Sequence, residues 1–125
     1  MELLLDTNVL IGLIEKRLGE ALSAVLAAPD ITLHTSVASL WEIAIKVQLG
    51  KLPLRVELED LPELAEDMTA TLLPIKASHV LTLVQPVPAT RDPFDRLLLA
   101  QCAVEKMKLA TTDRALASHP LAWRA

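Results

Sequence analysis

Two acidic residues of this chain stand at the ends of apolar segments, where a carboxylate needs a partner. Asp6 lies between hydrophobic runs in LLLDTNVLIGLI, and Asp113 directly follows KLATT. Burying an ionised carboxylate is costly unless it is paired with an opposite charge or bound to a metal ion. Asp6 is therefore a candidate metal ligand, with a plain turn residue as the structural alternative. Asp113 has a similar alternative as the N-cap of a short helix ending near Ser118.

Glu42 is predicted to lie in the middle of a helix, SLWEIAIK, whose other residues are mostly apolar. One interpretation is an ion pair with Lys46 at i+4, which stabilises a helix by about 0.3 kcal/mol. The other is that Glu42 shares a cation with Asp6, because so apolar a helix offers little solvent-facing surface for a charge. The sequence leaves both interpretations open.

Asp92 and Asp95 open another predicted helix with the spacing D-x-x-D, in DPFDRLLLAQ. Pro93 suits the first helical position, and Asp92 is placed to cap the free amides of the first turn. Asp95 then either stabilises the positive end of the helix or projects into a crevice. We expect Asp92 to be the structural residue and Asp95 the ligand.

The elements that must position these acids alternate between strand and helix. Strands are predicted at 2–5, 31–35, 71–75 and 108–112, the last being KLATT, and helices at 9–16, 19–28, 37–50, 58–68, 77–85 and from 93 onward. In the third of these helices, Ser36 is the expected N-cap and Gly50 the terminator. This alternation predicts a three-layer α/β fold, with a central, mostly parallel twisted sheet and helices on both faces. Because ligands bind outside the carboxyl ends of parallel strands, Asp6 and Asp113 are expected at one crevice.

Length and composition predict a single globular domain spanning residues 1–125, with 52% hydrophobic and 2% aromatic residues. The net charge of −4 equals that of four carboxylates in one metal site, so charge alone does not exclude a nucleic-acid partner. The apolar runs are too short for a membrane helix, and no basic segment of a signal peptide begins the chain. We therefore expect a cytoplasmic protein without a membrane partner.

The cysteine and the histidines of the chain give no indication of thiol or zinc chemistry. Cys102, the only cysteine, lies in LLLAQCAV and is expected to be a small buried hydrophobe rather than a nucleophile. Three scattered histidines give no zinc motif. A phospho-accepting receiver domain would need a second acid beside Asp6, and a haloacid-dehalogenase-type phosphatase would need an aspartate where Asn8 stands.

The chain resembles the PIN-domain nucleases, and most closely the VapC-type toxins of toxin–antitoxin pairs. The matching segments are LLLDTNVL, SLWEIAIKVQLGKL, TLLPI, DPFDRLLLAQ and LATTD, in the family's order. The chain departs from many of these toxins in having Thr90 and Arg91, where they have a histidine before DPFDR. Its C-terminal SHPLAWRA, with Trp123, matches only loosely.

The resemblance implies an endoribonuclease that hydrolyses RNA and leaves a 5′-phosphate and a 3′-hydroxyl. The implied catalytic and metal-binding acids are Asp6, Glu42, Asp95 and Asp113. Carboxylates without histidine or thiolate suit Mg²⁺ or Mn²⁺. The implied supporting residues are Asn8 and Thr112, and the candidate RNA contacts are Arg91, Arg96 and Lys46.

The resemblance also implies two protein partners: a cognate antitoxin that occupies the active-site groove, and a second copy in a homodimer. Two alternatives within the same fold stay open. One is a housekeeping PIN ribonuclease, and the other is a catalytically inactive PIN interaction module.

Overall fold

The computed structural model describes residues 1–123, so residues 124 and 125 of the predicted domain lie outside the described range. The elements in chain order are β1 (Glu2–Leu5), α1 (Thr7–Ile14), α2 (Glu20–Leu26), β2 (Thr32–Ser36), α3 (Val37–Gln48), a 3₁₀ turn (Leu58–Asp60), α4 (Leu61–Asp67), β3 (Thr71–Leu73), α5 (Ala77–Leu81), α6 (Pro93–Glu105), β4 (Lys108–Ala110), α7 (Arg114–Ala117) and β5 (Ala122–Trp123).

The five strands form one sheet in the order β3-β2-β1-β4-β5, and every neighbouring pair is parallel. The central strand is β1, in which Leu4 is paired with His34 of β2 on one side and with Leu109 of β4 on the other. The predicted α/β fold with a parallel sheet is confirmed.

The leucines of β1 show why the fold has three layers. Leu3 and Leu5 belong to one hydrophobic cluster, which includes Val9 of α1, whereas Leu4 belongs to a second cluster with Leu98 of α6. Successive side chains of a strand point to opposite faces of the sheet. Because all three leucines are fully buried, both faces are covered, as the continuous apolar run predicts for a central parallel strand.

The helix that carries Glu42 begins and ends where the sequence predicts. The Ser36 hydroxyl accepts a hydrogen bond from the Ala38 amide at 3.0 Å, and Gly50 follows the end of α3 with φ of +70°. Glycine adopts this left-handed conformation without steric cost. The predicted N-cap and terminator are confirmed.

The prediction that KLATT is the last strand is wrong. A fifth strand, Ala122–Trp123, adds to the sheet, with Ala122 opposite Leu109 and Trp123 opposite Ala110. Two residues are too few to show the alternation that identifies a strand. Trp123 packs against the cluster that holds Leu3, so its side chain contributes to the core.

Several predicted helices also differ in extent, and those over 9–16 and 19–28 are Thr7–Ile14 and Glu20–Leu26 in the structure. The predicted helix over 77–85 ends at Leu81, because Thr82 has an extended backbone with ψ of 127°. The predicted helix over 58–68 starts as a 3₁₀ turn before α4. None of the helices in residues 1–123 has the length and hydropathy needed to cross a membrane.

Candidate functional site

The carboxyl ends of β1 and β4 place Asp6 and Asp113 at the same edge of the sheet. Asp6 directly follows β1, and Asp113 follows β4, the neighbouring parallel strand. The Asp6 amide donates a hydrogen bond to the Ala110 carbonyl at 2.9 Å. The Asp113 carboxylate accepts a hydrogen bond from the Ala115 amide at 2.9 Å and so caps α7. The capping role that the sequence left open for Asp113 is confirmed.

Asp6 is 4% exposed, and both its carboxylate oxygens accept hydrogen bonds. The Thr7 amide donates to Oδ1 at 2.9 Å, and the Thr111 hydroxyl donates to Oδ2 at 2.6 Å. Burial nevertheless raises the pKa of Asp6, and the charges of Glu42 and Asp113 raise it further. The two hydrogen bonds act in the opposite direction but do not outweigh burial. The two hydrogen-bond donors therefore do not fully compensate the negative charge of the buried Asp6 carboxylate.

Glu42 is 5% exposed, although it lies in the middle of α3. The Thr7 hydroxyl donates to Glu42 Oε1 at 2.7 Å and lies 3.0 Å from Ser39 Oγ. The Lys46 ammonium contacts Glu42 Oε2 at 2.7 Å, so the predicted i+4 ion pair is present. The same carboxylate also faces the start of α1 through Thr7, the residue after Asp6.

Asp92 and Asp95 have different roles at the start of α6. Asp92 Oδ1 accepts hydrogen bonds from the Phe94 amide at 2.8 Å and the Asp95 amide at 3.2 Å. The predicted N-cap is confirmed, and it leaves the Asp95 side chain free of capping. Asp95 Oδ2 accepts a hydrogen bond from the Thr90 hydroxyl at 3.2 Å, from the loop that leads into the helix.

The pKa of Asp95 is raised to about 6. Partial burial is the largest cause, and the charges of Asp92, Asp6 and then Glu42 add to it, while the hydrogen bond from Thr90 opposes the shift. Asp6 after β1 and Glu42 on α3 are therefore close enough for their charges to act on Asp95 of α6.

The other residues singled out in the sequence lie at the surface. Asn8, Thr112, Arg91 and Arg96 are exposed. Arg96 Nε donates to the Thr90 carbonyl at 2.8 Å, so this guanidinium binds its own loop. Neither Asn8 nor Thr112, the implied supporting residues, is among the side chains that contact the acids in residues 1–123.

Besides Lys46, the side chains that donate hydrogen bonds to the acids are threonines whose role the sequence interpretation missed. Thr7 contacts Glu42, Thr111 contacts Asp6 and Thr90 contacts Asp95. Each of these threonines lies within two residues of an aspartate in the sequence. That spacing is the only signal in the sequence that would have pointed to them.

We call Asp6, Glu42, Asp95 and Asp113 the acidic cluster. Within residues 1–123, no three His, Cys, Asp or Glu side chains already stand in an arrangement that would hold a metal ion. The donor chemistry nevertheless fits a hard divalent cation, because the cluster offers only carboxylate oxygens, each with lone pairs beyond its hydrogen bonds. Burial raises the pKa values of Asp6 and Asp95, and the neighbouring carboxylates raise them further.

Cys102 offers no competing chemistry. Its side chain is fully buried in α6, and burial raises the pKa of the thiol to about 12. A thiol that stays protonated at neutral pH is a poor nucleophile. This agrees with the expected role of Cys102 as a small buried hydrophobe.

Comparison with known proteins identifies the family. The family model of the PIN domain matches residues 3–120. No curated protein and no solved structure matches the chain. PIN domains are generally metal-dependent nucleases. Since the match extends over nearly the whole sequence, the chain belongs to the PIN domain family.

Proposed function

We propose that this protein is a metal-dependent endoribonuclease, built as a single domain over residues 1–125, and that it is the toxin of a VapC-type toxin–antitoxin pair. The observation that carries the proposal is the convergence of acids from distant parts of the chain. The charges of Asp6 and Glu42 both help to raise the pKa of Asp95, after its partial burial, and the Thr7 hydroxyl links Glu42 to the residue after Asp6. Among side chains hydrogen-bonded to the acidic cluster in residues 1–123, the one cation is Lys46.

Asp6 and Asp95 would hold Mg²⁺ or Mn²⁺ directly. Glu42 and Asp113 would complete the site or orient the attacking water. When bound, such an ion lowers the pKa of water, polarises the phosphodiester and stabilises the leaving oxygen. The products are a 5′-phosphate and a 3′-hydroxyl.

The threonines fix the orientation of the acids. The hydroxyls of Thr7, Thr90 and Thr111 each donate to one carboxylate, so the remaining lone pairs of these groups face a defined direction. Oxygens held in this way need little reorganisation when the reaction begins. Arg91, Arg96 and Lys46 are the side chains proposed to contact the phosphate backbone of the RNA.

The direct test is cleavage of cellular RNA by the purified protein, with Asp6→Asn as the variant. Asparagine keeps the shape of Asp6 and one of its two acceptor oxygens, replaces the other oxygen with an NH₂ donor and loses the charge. We expect cleavage to fall by about 1,000-fold, the scale associated with removing one preorganised stabilising group. Far-UV circular dichroism should remain native. Sequencing the new 5′ ends would identify the RNA target.

The matched control is Asp60→Asn, which neutralises an exposed aspartate outside the acidic cluster and should leave cleavage unchanged. EDTA should silence the wild-type protein, and added Mg²⁺ or Mn²⁺ should restore it. Full activity of Asp6→Asn, or cleavage that persists in chelator, contradicts the proposal.

The toxin role implies an antitoxin, a homodimer and a cytoplasmic location, and it is tested separately. A gene for a small protein directly upstream should encode the antitoxin, and its product should suppress both RNA cleavage and the growth arrest caused by this protein. Cleavage without growth arrest would instead favour a housekeeping PIN ribonuclease. Absence of cleavage would favour an inactive interaction module, although all four acids are present.

A further inference from the structure

An exposed aromatic side chain lies beside the acidic cluster. The chain has only three aromatic residues, two tryptophans and one phenylalanine, and two of the three contact each other. The rings of Trp41 and Phe94 have centroids 5.6 Å apart and an interplanar angle of 76°, an edge-to-face contact. Trp41 is nevertheless 59% exposed. Much of the side chain of Trp41, one of the two tryptophans, therefore faces solvent while its edge contacts Phe94.

The aromatic pair joins the same two helices that carry the acids. Trp41 immediately precedes Glu42 on α3, and Phe94 immediately precedes Asp95 on α6. Lys46 lies in the same region, because its ammonium group is 2.7 Å from Glu42 Oε2. The aromatic contact between Trp41 and Phe94 therefore lies where α3 and α6 meet, one residue along each helix from Glu42 and Asp95.

We infer that Trp41, supported by Phe94, is a stacking platform for an unpaired base of single-stranded RNA next to the cleaved phosphodiester. This rests on the ribonuclease function proposed above. Aromatic side chains stack on the faces of bases in single strands, whereas bases in a duplex are already stacked on both sides. Holding one base on Trp41 would place the adjoining phosphate at the acidic cluster. Lys46 lies close enough to offset part of the charge of that phosphate.

The kinetic test compares Trp41→Leu, which keeps an apolar side chain without a π face, with Trp41→Phe, which keeps the ring. For a short single-stranded RNA, we expect Trp41→Leu to raise KM by about 10- to 100-fold, the range for losing one stacked base. Trp41→Phe should stay within about threefold of wild type, because phenylalanine also stacks. The same RNA closed into a duplex should be a poor substrate for all three proteins.

The matched control is Leu49→Ala. Leu49 is 62% exposed and lies just past the end of α3, so it tests whether any exposed apolar side chain on this helix matters. Its KM should equal that of wild type. Equal KM values for wild type and Trp41→Leu would overturn the inference while leaving the ribonuclease intact. Loss of self-association in Trp41→Leu by light scattering, with KM unchanged, would also overturn it and would identify a protein interface instead.

A binding measurement keeps the two proposals distinguishable. In Asp6→Asn/Trp123→Phe, Trp41 is the only tryptophan and the protein is designed not to cut. An eight-nucleotide RNA should quench the Trp41 fluorescence, whereas an abasic phosphodiester chain of equal length should not. If wild type cuts no RNA, the nuclease proposal fails but this signal still reports stacking. Equal quenching by both chains, or by neither, contradicts the inference.

Discussion

Two polar regions of the molecule involve the same pair of helices, α3 and α6. They differ in their ratio of hydrogen-bond donors to acceptors. The acidic cluster takes Glu42 from α3 and Asp95 from α6. The second region, which we call the buried network, takes Ser36 from the N-cap of α3 and Gln101 from α6, and adds His79 from α5. Ser36, Gln101 and His79 are each 0% exposed.

In the buried network, donors and acceptors match. The Ser36 hydroxyl donates to Gln101 Oε1 at 2.6 Å, and Gln101 Nε2 lies 3.3 Å from both the Pro74 carbonyl and His79 Nδ1. Because Nδ1 also accepts from the Lys76 amide at 3.0 Å, the ring proton is on Nε2. Because Nδ1 has one lone pair, the amides of Lys76 and Gln101 share it as their acceptor.

The pKa of Glu105, a carboxylate that borders the buried network, shifts in the opposite direction from the pKa values of Asp6 and Asp95. His79 Nε2 lies 2.7 Å from Glu105 Oε2, and this hydrogen bond, followed by one from Lys76, lowers the pKa of Glu105. In the acidic cluster, burial and neighbouring charge raise the pKa values of Asp6 and Asp95. A network in which donors and acceptors are paired stabilises the fold, whereas we propose that the surplus of acceptors in the acidic cluster serves to bind a cation.

The largest effect predicted from this comparison is the loss of RNA cleavage in Thr7→Val. The change keeps the shape of the side chain but removes the hydroxyl that donates to Glu42. We expect RNA cleavage to fall by about 10- to 100-fold, the usual cost of removing a group that orients a metal ligand. Cleavage rates at equal protein concentration, with circular dichroism to verify folding, measure it.

Thr35→Val is the matched control for Thr7→Val. Thr35 is also buried, but its hydroxyl has no hydrogen-bond partner within the described residues. Its loss should leave cleavage unchanged and should not lower the free energy of unfolding, since an unpaired buried hydroxyl is itself unfavourable. If both variants kept full activity, the role of Glu42 in cleavage would not depend on the hydrogen bond from Thr7.

The next effect concerns the buried network, where Gln101→Leu should lower the free energy of unfolding by about 1–2 kcal/mol. Leucine fills a similar volume but leaves the Ser36 hydroxyl and the Pro74 carbonyl without this partner. Urea unfolding followed by circular dichroism measures the loss, and the exposed Gln48→Leu at the end of α3 is the control. A loss of activity without a loss of stability would show that the network serves the reaction rather than the fold.

The smallest effect is a gain in stability for Asp95→Asn in the absence of metal. The pKa of Asp95 is about 6 in the folded protein against an ordinary value of 3.8, so the folded state binds the proton more tightly. Stability of the metal-free wild type should therefore fall as pH rises from about 4 to 6 and stay low above that window. Asp95→Asn removes this part of the slope.

At pH 7.5 in chelator, we expect Asp95→Asn to exceed wild type in stability by less than about 1 kcal/mol, because solvent screens the partly exposed Asp95. Urea unfolding at pH 4.5 and 7.5 tests this, with Asp60→Asn as a control that should follow wild type. Adding Mn²⁺ should then reverse the order by stabilising wild type alone. A metal-free Asp95→Asn that is less stable than wild type at pH 7.5 would mean that the Asp95 charge is favourable in the fold.

The sequence was sufficient wherever one local pattern decided the structure. Asp92 before a proline predicted the cap of α6, and the run of leucines before Asp6 predicted a strand there. Such features depend on a few adjacent residues. The strand-end position of Asp6 followed from the same local pattern.

Other features depend on residues far apart in the sequence, and there the sequence was insufficient. Thr111 contacts Asp6 across 105 positions, and Thr7 contacts Glu42 across 35, so only the packed sheet and helices bring these hydroxyls to their acids. Asn8 and Thr112, their sequence neighbours, had been expected instead. The strand of Trp123 was missed because its pairing with β4 is defined by the partner strand and not by its own two residues.

The most direct test of the central claim is titration of the metal-free protein with Mn²⁺, with free Mn²⁺ followed by electron paramagnetic resonance. Wild type and Asp60→Asn should bind Mn²⁺ with the same saturable affinity. Asp6→Asn and Asp95→Asn should each lose more than the roughly 10- to 100-fold expected for a residue that only orients a ligand. Undiminished Mn²⁺ binding by both variants, or no binding by wild type, would contradict the claim that these acids hold a metal ion.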